Sequence, residues 1–316
     1  MRAVRPIVLA LAVLGGGTAH AAVLNLMAPV GGANLYAIHD VSATSSDVEG
    51  AVVAGGNVTI SSYSINHNDK DAFGADGYAL VAGGNLTLQG GSIENGKAYV
   101  GGTSALTWAA TPAMSTQNPV DFAAAAGYYK GVADALSHLD PTGAVTRLWS
   151  GVKVTGGGQG GVDVFDVSSD LFANSSSWTL EQLVPGQTLV FNVSGQAGTF
   201  NNGGISFEPL SGYNVLFNFY EATSVDVRGV IGSVLAPHAT QTANWGVING
   251  DVIVDTWSST VQVNANHYFN PVDIAGMKLD TGGDTPSGHV PEPGSVALML
   301  AGLAAAGVAR RRHRRA

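Results

Sequence analysis

The sequence predicts a mainly β protein, a parallel β-helix or related β-solenoid with one inserted amphipathic helix. Three observations carry this. The phrase Val53-Ala54-Gly55-Gly56-Asn57-Val58-Thr59 returns 28 residues later as Val81-Ala82-Gly83-Gly84-Asn85-Leu86-Thr87, and near-identity over seven consecutive positions implies a repeated backbone path. Each copy runs on into alternating apolar and polar residues, Val58-Thr59-Ile60-Ser61 and Leu86-Thr87-Leu88-Gln89, the period of a strand buried on one face. The chain of 316 residues holds 43 glycines, no cysteine and 12% charged residues. That composition suits short strands and many turns, stabilised by stacked hydrogen bonds and apolar burial without disulfides.

Residues 1–22 read as a secretory signal peptide. Arg2 and Arg5 precede an apolar run from Ile7 to Leu14, and Ala19-His20-Ala21 forms the small-x-small cleavage site, with Ala19 and Ala21 as its small residues. The run is too short to span a bilayer. A β domain is expected over 23–280. It opens with a strand at Asn34–Ile38 and a Ser/Thr/Asp loop, and reaches the first repeat through Gly50-Ala51-Val52-Val53. In each copy Gly55-Gly56-Asn57 or Gly83-Gly84-Asn85 is read as a corner between two strands, chosen because glycine and asparagine tolerate positive φ. A looser third copy is Tyr99-Val100-Gly101-Gly102, with Leu106-Thr107 after it. Between the first two copies, Asn66 to Asp71 is polar. Its alternating Asn and Asp resemble oxygen ligands for Ca²⁺, but the Gly and bidentate Glu of an EF-hand loop are missing, so a solvated loop is expected.

Residues 119–139 break the pattern. Phe122, Ala126, Tyr129, Ala133 and Leu136 step by three and four, with Pro119 ahead and Pro141-Thr142-Gly143 behind. This predicts one amphipathic helix, docked on the β body to cover an end or side of the stack and shield edge strands. Strand-like runs resume at 151–154, 162–165, 189–193, 215–219 and 225–227. Near the end, Gly232 to Pro237 and Val247 to Val254 repeat the strand-corner-strand logic with Asn249-Gly250-Asp251 in the turn. Residues 281–290 read as a linker.

Charge is unevenly placed. Seven of the fourteen Lys and Arg lie in the terminal segments, so residues 23–289 carry seven basic against twenty-two acidic side chains, a balance of −15. Such a body repels nucleic acid and anionic membranes. At the C-terminus, Pro291-Glu292-Pro293 precedes an apolar segment from Val296 to Ala309 and then Arg310-Arg311-Arg312-His313-Arg314-Arg315. An apolar segment of this length spans a bilayer only marginally, and the basic cluster stays cytoplasmic, which predicts a transient inner-membrane tether with the body facing outward.

This tripartite tail, residues 291–316, resembles the PEP-CTERM sorting signal of Gram-negative bacteria. The resemblance implies passage through the Sec export machinery and removal of the tail at Pro291, Glu292 and Pro293 by an exosortase. The body resembles the choice-of-anchor A family through Asp47-Val48-Glu49-Gly50 before the repeat, the echo at 81–85, the helix opening Val120-Asp121-Phe122 and Gly232-Ser233-Val234-Leu235-Ala236-Pro237. It implies a secreted β-helical adhesin domain and brings no catalytic motif.

No chemistry emerges from the residues themselves. Gly-x-Ser-x-Gly, His-Glu-x-x-His and Walker motifs are absent, and Gly156-Gly157-Gly158-Gln159-Gly160-Gly161 lacks the Lys-Ser/Thr of a phosphate loop. The eight histidines, among them His39, His67, His138, His238 and His267, are scattered without metal spacing. No catalytic, cofactor-binding or metal residue is assigned and no cofactor is expected. The reading is a non-catalytic surface or matrix protein, an adhesin that contacts exopolysaccharide or other surface components. The competing class is a β-helical enzyme acting on polysaccharide, for which Asp163 and Asp166, or Asp251 and Asp255, are the candidate carboxylates. Among Trp108, Trp149, Trp178, Trp245 and Trp257, the pair Trp245 and Trp257 is the expected ligand-stacking patch. A flat Thr-rich face would point to ice, but no regular Thr-x-Thr ladder appears along the chain.

Overall fold

The computed structural model describes residues 23–68, 77–173, 175–200 and 206–279. These are mainly β. Twenty strands join one sheet system in which successive strands run parallel, an arrangement compatible with a β-helix. The signal peptide, most of the polar loop after Asn68, the linker and the tail lie outside the described residues.

The parallel strands form three rows. In spatial order the first row is Val162–Ser168, Thr188–Ser194, Asn214–Asn218, the start of Ser233–Gln241, the start of Val252–Ser258, then Leu35–Ala37, Val52–Ala54, Tyr78–Ala82, Lys97–Val100 and Ala113–Ser115. The second row holds Ala197–Thr199, Ser224–Asp226, the ends of Ser233–Gln241 and Val252–Ser258, Val41–Thr44, Val58–Ile65, Leu86–Ile93 and Ser104–Thr107. The third runs from Val230–Ile231 through Val247–Asn249 and Gln262–Asn264 to Asp47–Val48 and the end of Val58–Ile65. Chain order and spatial order therefore differ. The chain begins in the middle, builds outward to one end, restarts at the other end after the helix, and builds back until Val252–Ser258 pairs with Leu35–Ala37 and Val41–Thr44.

The two sequence copies lie side by side in register, Val53 against Val81 and Val58 against Leu86. The third follows with Val81 against Tyr99. The expected reason for the corner glycines is corrected, because none of Gly55, Gly56, Asn57, Gly83, Gly84 and Asn85 is among the positive-φ residues. These glycines are required by close approach. A Cβ on Gly55 would overlap the Ile38 carbonyl oxygen, one on Gly83 the Gly55 carbonyl oxygen, and one on Gly101 the Gly83 carbonyl oxygen. The asparagines link the layers. Asp40 Oδ1 accepts the Asn57 N–H at 2.6 Å, Asn57 Oδ1 accepts the Asn85 N–H at 3.0 Å, and Asn85 Oδ1 accepts the Thr103 N–H at 2.8 Å.

First-row strands such as Leu35–Ala37, Val52–Ala54 and Tyr78–Ala82 are buried on both faces, so they read as continuous apolar runs, whereas Ala113–Ser115 at the end of the row is largely exposed. Leu35, Val52 and Leu80 face the interior, whereas Tyr36, Val53, Val81 and Leu235 face the helix Phe122–Ser137. That helix is shorter than 119–139. Its fully buried residues are Ala125, Tyr129, Val132, Ala133 and Leu136, while Phe122 and Ala126 are only half-buried, so the apolar stripe is rotated from the expected one. Asp121 caps it by accepting the Ala124 N–H, the Tyr129 hydroxyl donates to Leu26 O, and Asn218 and Asn192 donate to the Ala133 and Leu136 carbonyls of its last turn. The helix thus covers a side of the stack as expected, but it lies on the flat outer face of the first row rather than on edge strands.

Two further departures concern the segment after the helix. A second, short helix occupies Ser169–Ala173. Residues 151–154 belong to a separate three-stranded sheet, Ala144–Leu148, Gly151–Thr155 and Trp178–Glu181, whose first pair is antiparallel. Inside the adjacent layers Phe165, Phe191 and Phe217 stack with ring centroids 5.0 and 5.1 Å apart.

Candidate binding face

Val41–Thr44 and the first four residues of Val58–Ile65 and Leu86–Ile93 alternate, which sorts their residues into an interior set and an outward set. Gln241, Trp257, Val41, Val58 and Leu86 point inward. The outward positions form two columns across neighbouring strands. In one, Ser258, Ser42, Thr59, Thr87 and Ala105 are paired in succession, and Thr242 sits beside Ser258. In the other, Thr44, Ser61, Gln89 and Thr107 are paired, preceded by Thr260 and Asn244, which are joined by the Thr260 hydroxyl to the Asn244 carbonyl. Neither column carries a charged side chain. Where the two halves of the chain meet, this face is indented by a shallow groove of about 330 Å³ lined by residues such as Ser42, Thr59, Thr242 and Ser258.

The hydroxyl ladder thus exists, but across strands instead of along them. Its sequence signal was the recurrence of Val-Ser-Ala-Thr at 41–44, Val-Thr-Ile-Ser at 58–61 and Leu-Thr-Leu-Gln at 86–89, aligned by the repeat. Searching for Thr-x-Thr within one strand misses it, because each strand contributes only one or two members.

The edge of this face is a corner built from left-handed residues. The positions following Thr44, Ser61, Gln89 and Thr107 are Ser45, Ser62, Gly90 and Trp108, with φ of 54°, 48°, 67° and 53°. Trp108 is 84% exposed. At the other end of the column, Trp245 follows Asn244 without the left-handed conformation, is 62% exposed, and packs its ring at 4.2 Å over the guanidinium of Arg228, which is paired to Asp226 at 3.3 Å. Trp257 is corrected. It is fully buried, because its register with Gln241 and Val41 puts it inside the junction of the two halves. Trp149 is exposed on the hairpin of the separate sheet, and Trp178 packs on Phe172 and Phe207.

The candidate carboxylates serve the fold. Asp163 is buried and accepts the Thr142 hydroxyl at 2.7 Å, the Gln187 amide at 2.7 Å and the Gly157 N–H at 3.1 Å, so the Gly-rich loop wraps a carboxylate of its own chain. Asp251 is buried and accepts the Ser233 hydroxyl and the Phe269 N–H. Asp255 meets His39 at 2.9 Å on the surface. Asp166 sits one position past Phe165, its Cα paired with Asn192. The register separates the members of each proposed pair, since Asp163 and Asp251 are buried while Asp166 and Asp255 are not. Among the described residues no cluster of three or more His, Cys, Asp or Glu is arranged to hold a metal. Asn68, at the start of the polar loop, donates to Glu49. Burial raises the pKa of Asp47, with His67 at 3.7 Å opposing the shift.

The family model described as "Putative Ice-binding-like adhesive domain" matches residues 27–265, and that of the PEP-CTERM protein-sorting motif matches residues 289–315. The first covers well over half of the chain and takes in both halves, the helix and the whole outward face. The second implies sorting by an exosortase. No curated protein and no solved structure matches the chain. Among the described residues no helix is long and apolar enough to cross a membrane, and the expected tethering segment at 296–309 lies outside them.

Proposed function

The chain belongs to the ice-binding-like adhesive domain family, and from that premise we propose that it is a non-catalytic adhesin of the choice-of-anchor A type. In this reading the three parallel rows wind as a β-solenoid, a rigid support for one flat face. The protein is exported through the Sec machinery, held briefly at the inner membrane by its tail, freed by exosortase at Pro291-Glu292-Pro293, and left at the cell surface or in the extracellular matrix. The face contacts exopolysaccharide.

The observation that carries this is the outward face, two columns of hydroxyl and amide side chains, one of them ending in Ala105, without a charge. Its backbone is fixed by layer-to-layer hydrogen bonds, so little ordering entropy opposes binding. Buried Asp163 and Asp251, already occupied by internal donors, favour adhesion over hydrolysis. The test is incubation of the exported protein with the organism's own exopolysaccharide, with and without Ca²⁺. Saturable binding without depolymerisation is expected; turnover abolished by Asp163→Asn or Asp251→Asn would establish the enzyme instead. Intact mass should show loss of Arg310 to Arg315. The evenly spaced hydroxyl columns also favour a second occupant, ice, which thermal hysteresis by the same protein would reveal.

A further inference from the structure

The two exposed tryptophans at the rim of this face are not placed as core material, and their positions are related. Trp108 follows Thr107 and Trp245 follows Asn244. Thr44, Ser61, Gln89 and Thr107 are paired in succession, and extending the Ser258–Ser42 register by two residues puts Thr260 beside Thr44, with Asn244 bonded to Thr260 and all three lining one groove, so the column runs Asn244, Thr260, Thr44, Ser61, Gln89, Thr107. The two tryptophans therefore follow the two ends of this column, whose members are five strand spacings apart end to end, or about 24 Å, with the Trp245 ring laid over Arg228. Trp108 adopts a left-handed backbone conformation, φ 53°, that disfavours a bulky side chain, and at 84% exposure its ring recovers little by burial. The equivalent corners in neighbouring layers are Ser45, Ser62 and Gly90, residues that suit such a turn far better. A tryptophan there costs the fold something and returns little by burial. Trp149 on the separate sheet shares these traits, φ 53° and 90% exposed, and what distinguishes Trp108 is its place at the end of the outward column.

We propose that this edge is a binding track for a single extended, neutral glycan chain, laid along the stack and crossing the strands at right angles, with Trp245 and Trp108 stacking on sugar rings at its two ends. The proposal rests on the polysaccharide reading above and names its substrate class and direction. Three features of the track select that ligand. A sugar ring in an extended β-linked chain advances by roughly one strand spacing, so about five to six units fill the interval between the tryptophans and each meets one strand. Thr260, Thr44, Ser61, Gln89 and Thr107 present one hydroxyl or amide per strand, groups that donate and accept and so match sugar hydroxyls in either role. No charge lies in the column, and Arg228 beneath Trp245 is already paired with Asp226, so a uronate would find no counter-ion while a neutral sugar leaves none stranded.

The experiment titrates the exported protein with neutral β-linked gluco-oligosaccharides of increasing length, reading tryptophan fluorescence and calorimetric affinity, alongside pull-down on the insoluble polymer. Affinity should rise with length until about six units and then level, with little dependence on salt. Trp108→Ala and Trp245→Ala should each weaken the longest oligosaccharide by about 10-fold or more and remove the length dependence, while Trp149→Ala, equally exposed but off the track, should not. Trp108 makes few contacts, so its variant keeps the melting temperature of the parent. Trp245→Phe retains a ring over Arg228 and should recover most of the binding. Polymer binding unaffected by Trp108→Ala, or equal affinity for short and long oligosaccharides, overturns the track while leaving adhesion standing. Failure to bind any polysaccharide, soluble or insoluble, overturns both.

Discussion

Replacing Gly83 by alanine tests what the glycine corners are for. An added Cβ would overlap the Gly55 carbonyl oxygen and lie 3.0 Å from both the Gly55 carbonyl carbon and Phe122 Cε2. The obstacle is backbone, and it is pinned, since Gly83 N–H donates to Ala54 O at 2.9 Å and Gly84 N–H to Gly56 O at 2.8 Å. Relief requires the two layers to part locally. Overpacking of this kind costs about 1–3 kcal/mol, and weakening the two corner hydrogen bonds adds about 1 kcal/mol each. Against this, alanine restricts the unfolded chain and returns about 0.4–1 kcal/mol. The net loss is about 2–4 kcal/mol, and for a domain of this size each kcal/mol lowers the melting temperature by about 2–4 °C. Thermal melts of the exported protein should therefore fall by roughly 5–15 °C. Gly83→Asn separates this account from a need for positive φ, because asparagine tolerates that conformation and alanine does not. Close approach makes both variants equally poor. An alanine variant melting within about 2 °C of the parent, or an asparagine variant much better than alanine, would refute the argument.

Two further expectations use the same melts or a titration. Gly127 lies in the helix interior with nothing within 4 Å of an added Cβ, so Gly127→Ala should stabilise by about 1 kcal/mol and raise the melting temperature. Burial pushes the Tyr36 hydroxyl from 10.0 up to about 12 and raises those of Tyr63 and Tyr129. The fold holds these phenols neutral, so their contribution is intact below pH 10.0 and is lost as pH rises toward and through about 12. Tyrosinate absorbance should show an early reversible step from exposed tyrosines and a late step that coincides with loss of the β circular-dichroism signal; a single early step in a chain that remains folded would contradict it.

The first half of the stack was legible because its layers share a phrase. Val-Ala-Gly-Gly-Asn supplies identity, and period-two alternation supplies the facing, so register follows directly. The second half also repeats, as Val164-Phe165-Asp166, Val190-Phe191-Asn192 and Leu216-Phe217-Asn218 at intervals of 26, but no glycine phrase marks it and the loops between carry their own residues. Trp257 was misplaced although Thr256 and Ser258 flank it in the alternation of an inward residue, and pairing with Gln241 and Val41 shows that the ring points inside. The helix stripe was misjudged because small alanines satisfy several phases equally well, and the choice fell to Tyr129 docking on Tyr36, with ring centroids 5.1 Å apart. The binding face eluded a search along the chain because it is a property of pairing, each strand contributing a member to columns visible only when strands are aligned.

The least local feature is the splice where the last strands meet the first, and one side chain ties it. Asn34 is fully buried. Its amide donates to the carbonyls of Gly250 at 3.0 Å and Asn264 at 3.3 Å, partners 216 and 230 residues away, while its side-chain oxygen accepts the Gly50 N–H at 3.2 Å from the next layer. Truncation to alanine leaves two carbonyls and one N–H without that partner in a site closed to water, at about 1–3 kcal/mol for each group that finds no substitute. Asn66 provides the comparison. It is as fully buried, and its amide donates to Asn95 O at 3.1 Å, but across only 29 residues and within one half of the stack. In stacked repeats, cooperativity depends on the interfaces between neighbours. Asn34→Ala should therefore uncouple the halves, so that heating or urea resolves two transitions, whereas Asn66→Ala should lower a single transition. Calorimetric and van't Hoff enthalpies decide it, since only the uncoupled protein has a calorimetric enthalpy exceeding the van't Hoff value. One cooperative transition in both variants would mean that the strand pairs Leu35 to Val252 and Trp257 to Val41 hold the splice without the asparagine.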